Sequence, residues 1–502
     1  MGAARSRPAS RNRIPPQEYP HREDRFPPFP RAGLRSAAAV TALAITLPLA
    51  PAAGAQDLPG LPSRDSIPGI GDVIPGLPGG AVAPEGQGQG DAVPGEVGDA
   101  VPGATGDALP GVTGIPPMGA PSFVPGQNAP AVDENGAPVP QPFPADYIAR
   151  AFPSDASGEG VFYHSVVDPF RDLQQNHPEV MDENLEIVVR INNAAKDDRA
   201  AQLLALQDDH DDPLVNLSAG FGENLGTHFR AAVEEGRLPK MTALMSGNLA
   251  RAGGIASSSF AEKYTYNYDR PFVVAPERIE RYYRDNPGDD DPYSETPAYP
   301  SGHTNKAAWT ATLMSMMLPE VAPQIQARSS EAGQSRLVMG VHYPLDVMGG
   351  RMMGNQAAAD RWADPQFRPL IQAAAAELRA ELEWRCGSTL AECIAADTPY
   401  LSDDAAIAQY TERMTYGFNR VGEAGVAVTV PQGYAGLLAT THPQLTDEQR
   451  VKVLEVTAID SGFPLDRTDG RASHLRMNMA AAMAADVTVN ADGSLTVNGV
   501  RV

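Results

Sequence analysis

Three consecutive octapeptides, Gly90–Val97, Gly98–Thr105 and Gly106–Thr113, place Pro-Gly once in every eight residues and so limit where the 502-residue chain can build a core. Proline removes a backbone donor and glycine loses the most entropy on ordering, so neither a helix nor a strand ladder persists at that period. The surrounding stretch 56–145 holds 18 Gly and 18 Pro in 90 residues, with Phe123 and Phe143 as its only aromatics. Apolar surface is too sparse there to offset chain entropy. The stretch reads as a disordered Gly/Pro-rich spacer, suited to association with a cell envelope, and the folded part is expected from residue 146 onward.

Upstream, residues 1–35 carry eight Arg and three acidic residues. They precede twelve mostly apolar residues, Ser36–Leu47, and the small-residue exit Ala53-Gly54-Ala55. That order is a secretory signal with an extended basic region, 1–55. Twelve helical residues rise only about 18 Å, short of the ~30 Å hydrocarbon core, which argues against a membrane anchor. The expected location is extracytoplasmic, secreted or at the cell envelope, with no membrane span after signal removal. A formal net charge of -23 argues against nucleic acid as a partner, since phosphate-backbone binding needs abundant cations. Cys386 and Cys393 are the only cysteines. In an exported chain they suit a disulfide closing a small loop, and a metal site would need further ligands nearby.

From Asp146 the pattern turns helical, with apolar residues at three-and-four spacing over Asn184–Asn193, Arg199–Gln207, Leu214–Leu238 and Lys240–Ala252. It continues over Ser301–Leu318, Phe367–Trp384, Asp403–Met414 and Thr446–Val456, the last with a capping-box start. Val487–Val489, a turn at Asn490–Gly493 and Leu495–Val497 predict a small hairpin. The expected fold class is all-α, a helical bundle over 146–395 with a C-terminal extension, 396–485, packed on it and a β-hairpin tail, 486–502.

Three polar clusters stand out within this body. Lys263 and Arg270 lie seven residues apart, two helical turns, so both cations can share one face, and Pro271 biases Arg270 toward extended backbone. Pro300-Ser301-Gly302-His303 opens an apolar helix. Ser301 is a natural N-cap, and Gly302 lets helix N–H groups approach an anion. His303 is placed to exchange a proton. Ser335-Arg336 then precedes His342 and Asp346. Arg336 can grip two oxygens in a fork. With Pro344 at a first helical position, Asp346 falls in the first turn, where it can accept from His342 Nδ1 and leave Nε2 as a nucleophile.

In order and spacing, these segments resemble the signature of the superfamily that unites type 2 phosphatidic acid phosphatases, bacterial class A acid phosphatases and vanadium haloperoxidases. The matching positions are Lys263, Arg270 and Pro271; Pro300, Ser301, Gly302 and His303; Ser335, Arg336, His342 and Asp346. Looser similarity runs from Asn192 to about residue 360, and Val430–Leu475 is similar to C-terminal extensions of exported bacterial members. The resemblance implies a helical-bundle acid phosphatase without a metal or other cofactor, acting on small-molecule phosphate esters. It implies that His342 attacks phosphorus, Asp346 orients it and His303 protonates the leaving alcohol. Lys263, Arg270, Ser301, Gly302 and Arg336 would bind the phosphate oxygens.

Vanadate is expected as an inhibitor. Under the rival haloperoxidase reading it is the cofactor, held in the same pocket. A lipid-phosphate or diphosphate phosphatase is a second rival, although Ala307–Leu318 is too short an apolar stretch for a span. A non-catalytic wall protein, suggested by the octapeptides, is the alternative of a different class. Two further features read blandly. Asp208-Asp209-His210-Asp211-Asp212 is expected as a solvated acidic loop rather than a metal site. Tyr264, Tyr266 and Tyr268 fit core packing or a helix surface at least as well as a substrate pocket.

Overall fold

The computed structural model describes residues 129–157, 162–247, 250–254, 256–283, 293 and 296–502. The signal and the octapeptides lie outside the described residues. The described body starts earlier than Asp146, which corrects the C-terminal end of the spacer. Val132 and Pro138 form an antiparallel bridge, Phe143 is buried in the main core, and Arg237 Nη2 donates to the Pro138 carbonyl at 2.9 Å. The proline-rich composition conceals this docking because a single aromatic, Phe143, anchors it.

The body is predominantly helical. Its main elements are α1 (Pro178–Ala194), α2 (Phe260–Tyr266), α3 (Gly302–Met317), α4 (Ala322–Val338), α5 (Pro344–Ala363), α6 (Arg368–Cys386) and α7 (Asp403–Thr415). Thr446 caps Asp447–Thr457 through the expected reciprocal box. Two readings change. Leu214–Leu238 is not one helix, because the chain breaks at Gly222 (φ 117°) between Ser218–Phe221 and Glu223–Glu234. Lys240–Ala252 shortens to Pro239–Met245. α4 has no counterpart among the predicted segments.

α3 is buried nearly all round, and α4 and α5 pack along it. Its polar residues are matched inside the bundle: Thr312 Oγ1 donates to Asn355 Oδ1 of α5 at 3.0 Å, and Gln326 of α4 donates to Ser315 Oγ at 3.2 Å. α3 and α5 meet on glycine. A Cβ on Gly350 would lie 2.5 Å from the Ser301 carbonyl oxygen, and one on Gly354 would collide with the Asn305 carbonyl. Both obstacles are backbone, so the close approach depends on the missing side chains.

One apolar core runs from Phe143 to Val497 and includes Trp362 of α5 with Tyr434, Leu437 and Leu438 of the C-terminal part. Cys386, at the end of α6, is disulfide-bonded to Cys393, with an S–S distance of 2.04 Å. The expected C-terminal hairpin is present and gains a third strand, making a three-stranded antiparallel sheet. β1 (Val487–Val489) pairs with β2 (Leu495–Val497), Val487 opposite Val497, and β3 (Val500–Arg501) adds to β2. Gly499 (φ 80°) and Asn498 (φ 48°) make the second turn. Among the described residues no helix is long and apolar enough to cross a membrane.

Candidate active site

Lys263 sits on α2, and its Nζ donates to the carbonyls of Pro297 (2.9 Å) and Ala298 (3.1 Å). α2 ends at Asn267, in the left-handed region (φ 46°), so Lys263 and Arg270 do not share a helical face. The chain turns instead, and Arg270 is extended ahead of Pro271, which opens the next helix. Arg270 is fully buried and donates to Thr296 O (2.8 Å), Thr296 Oγ1 (2.9 Å) and Val341 O (2.8 Å). Neutral oxygens thus hold two of the three cations.

Ser301 caps α3, its Oγ accepting from Thr304 N at 3.3 Å, and its own N–H donates to the Asp346 carbonyl at 2.9 Å. Gly302 begins the helix and lines the cleft, with Ser259 Oγ 3.0 Å from where a Cβ would stand. His303 follows at the cleft.

His342 precedes α5 and is fully buried. Its Nδ1 lies 3.0 Å from Asp346 Oδ2, which also accepts from Tyr343 N at 2.8 Å. Asn184 of α1 accepts from Leu345 N at 3.0 Å, fixing the start of α5. Arg270 Nη1 stands 3.2 Å from His342 Nε2. A guanidinium can only donate, so Nε2 accepts, and the proton belongs on Nδ1 toward Asp346.

Arg336, from the last turn of α4, donates to Asp209 Oδ1 at 2.5 Å and to Tyr293 OH at 3.0 Å, and Tyr293 in turn donates to Asp209 at 2.7 Å. The acidic run is therefore not a solvated loop. Asp208 and Asp209 are buried. Asp208 pairs with Arg328 and accepts from Ser335 Oγ at 2.7 Å. Asp211 pairs with Lys306 at 3.0 Å, and Asp212 caps Pro213–Leu217. Buried arginines on α4 draw these carboxylates inward, because an unpaired buried charge is far costlier than a paired one. Asp209 and Tyr293 are the site residues that the sequence reading missed. The only signal for Asp209 was a carboxylate run in a chain whose α4 carries arginines.

Burial, joined by Arg270, Lys263 and Arg336, holds the His342 pKa well below the ordinary imidazole value. Burial and then Arg336 hold His303 down to about 4, against which Asp209, 3.9 Å from its Nε2, acts weakly. Burial raises Asp346. Burial alone would raise Asp209, but the charges of Arg336 and His303 and the hydrogen bonds from Arg336 and Tyr293 together outweigh it and hold the carboxyl far below its usual range. Both histidines are thus neutral near pH 7 within a set of cations. An arriving anion would relieve that imbalance and favour protonation.

Beside this set opens a cleft with Lys263, Thr296, Gly302, His303 and Lys306 in its lining. The three tyrosines divide. Tyr264 lines the cleft. Tyr266 packs edge-on against Phe170 and Tyr299, and Tyr268 lies against Tyr343.

Residues 243–364 match the family described as the PAP2 superfamily. The chain is 36% identical over 138 residues to a non-specific acid phosphatase of Salmonella typhi, covering 28% of this chain and 51% of that protein. It is 30% identical over 161 residues to a non-specific acid phosphatase of Providencia stuartii (32% and 62% covered). It is 32% identical over 116 residues to an acid phosphatase of Zymomonas mobilis subsp. mobilis (23% and 42% covered). The chain thus spans about half the length of the curated relatives it matches.

Proposed function

From the match of residues 243–364 to the PAP2 superfamily and from the geometry of the site, we propose that the chain is an exported acid phosphatase that hydrolyses small-molecule phosphomonoesters through a phosphohistidine. The observation that carries the reading is the pair of contacts on His342, Nδ1 to Asp346 Oδ2 at 3.0 Å and Nε2 to Arg270 Nη1 at 3.2 Å, which assigns its tautomer. With Nδ1–H directed to Asp346, the Nε2 lone pair faces Arg270 and the cationic pocket. His342 Nε2 attacks phosphorus, the P–O bond to the alcohol breaks, and His303 delivers a proton to the leaving oxygen. Water then attacks phosphorus, the P–N bond breaks with its electron pair returning to His342 Nε2, and His303 takes up the proton released by the water. Lys263, Arg270, Arg336, Ser301 and the Gly302 N–H hold the equatorial oxygens, where transition-state charge is spread. These donors take the role a divalent metal would otherwise fill. Asp346 stabilises the charge that His342 gains. The N-terminal signal pattern supports work outside the cytoplasm.

The test is turnover of an aryl phosphate by the purified protein. His342→Ala abolishes turnover, vanadate inhibits, and EDTA leaves the rate intact. Full activity in the alanine variant would overturn the mechanism, and loss of activity in EDTA would overturn its independence of metal.

A further inference from the structure

Resting on the phosphatase reading, we infer that Phe260 and Tyr264 form a stacking wall for the leaving group, selecting phosphate esters whose alcohol carries a flat aromatic ring. In-line displacement puts the nucleophile and the leaving oxygen on opposite sides of phosphorus. His342 is fully buried, whereas His303 lines the cleft. The departing alcohol therefore lies in the cleft, on the side of His303.

α2 forms one wall of that cleft. Lys263 points inward to the Pro297 and Ala298 carbonyls. Phe260 and Tyr264, four residues apart, share another face of the same helix. Both line the cleft, with ring centroids 4.9 Å apart and planes inclined by 51°. Phe260 is 37% and Tyr264 39% exposed, whereas Tyr266, on the same helix, is buried in the core. Large rings left open beside a reacting centre gain apolar contact only when a ligand covers them. Lys306, also in the lining, is already paired with Asp211 at 3.0 Å. The cleft thus recognises the alcohol through its ring rather than through a second anionic group.

The experiment compares the full-length parent, a Phe260→Ala/Tyr264→Ala double variant and Tyr264→Phe on 4-nitrophenyl phosphate, a purine nucleoside monophosphate and glycerol 2-phosphate. The double variant is expected to lose about tenfold in kcat/KM on the ring-bearing esters, chiefly through KM, the scale of one lost stacking contact. Glycerol 2-phosphate changes by less than about twofold, and Tyr264→Phe retains parental values. Loss on only one of the two ring-bearing esters supports the wall and identifies which ring it takes. Equal loss on all three esters, or no loss on either ring-bearing one, overturns it. Should the double variant not fold, Phe260→Leu and Tyr264→Leu read out the same ratio between substrates. A parent inactive on every ester would instead remove the phosphatase reading, and the wall with it.

Discussion

Replacing Asp209 with Asn removes the charge that balances Arg336 while keeping the shape and one acceptor. The two side chains are 7% and 0% exposed and meet at 2.5 Å. Charge centres about 4 Å apart at an effective dielectric near 20 interact by about 4 kcal/mol, of which the neutral hydrogen bond kept by Asn returns about 1. A net loss of about 3 kcal/mol matches the usual cost of breaking a buried pair from one side. For a body of this size that corresponds to a melting point lower by about 4 °C. The same calculation predicts partial rescue. An oxyanion held by Arg336 supplies the missing counter-charge, so saturating vanadate is expected to shrink the gap between variant and parent to less than about half. The assay is thermal unfolding of both proteins with and without vanadate. A variant melting within about 2 °C of the parent without anion would show that the pair does not hold Arg336 in place. A gap indifferent to vanadate would show that Arg336 does not face the anion.

Two further outcomes follow from the geometry. His303 is neutral in the free protein above about pH 4 yet must carry a proton to serve the leaving group, so kcat/KM is expected to rise as pH falls from 7 toward 4, and His303→Asn to flatten that rise; a parent profile rising with pH would refute the assignment. The linked stability has a fixed sign: its folded pKa is depressed, so its contribution is full above about 6.5 and is lost as pH falls through about 4. Gly350→Ala drives a methyl group to 2.5 Å from the Ser301 carbonyl, which is backbone and cannot yield; unfolding stability is expected to fall by about 1–3 kcal/mol together with kcat/KM, and a variant equal to the parent in both would refute the glycine contact.

What could be read from the chain was what local rules govern. Ser301 caps its helix and Asp346 meets His342 because capping and four-residue spacing are properties of neighbours in sequence. α4 escaped because it lacks an apolar stripe. Gln324, Gln326, Arg328, Ser329, Ser330, Ser335 and Arg336 are all buried; Arg328 and Ser335 meet Asp208, Arg336 meets Asp209 and Gln324 meets Asp403, and no periodicity announces that. Asp209 escaped for the same reason, since its partner lies 127 residues away. The shared face proposed for Lys263 and Arg270 failed at one residue, Asn267, whose left-handed backbone ends α2 between them. Gly350 and Gly354 had no visible role until α3 was seen against them.

The hydrogen bond from Ser301 N to the Asp346 carbonyl, set within that glycine contact, has a dynamic consequence. The helix start that would cradle phosphate and the helix start that would present His342 to it are joined by main chain, with no flexible side chain between them. Thermal displacement of one displaces the other, so the distance from His342 to a bound phosphorus is shielded from fluctuations that move the surrounding loops. Little reorganisation is then left for the moment of reaction, since the alignment was settled when the protein folded.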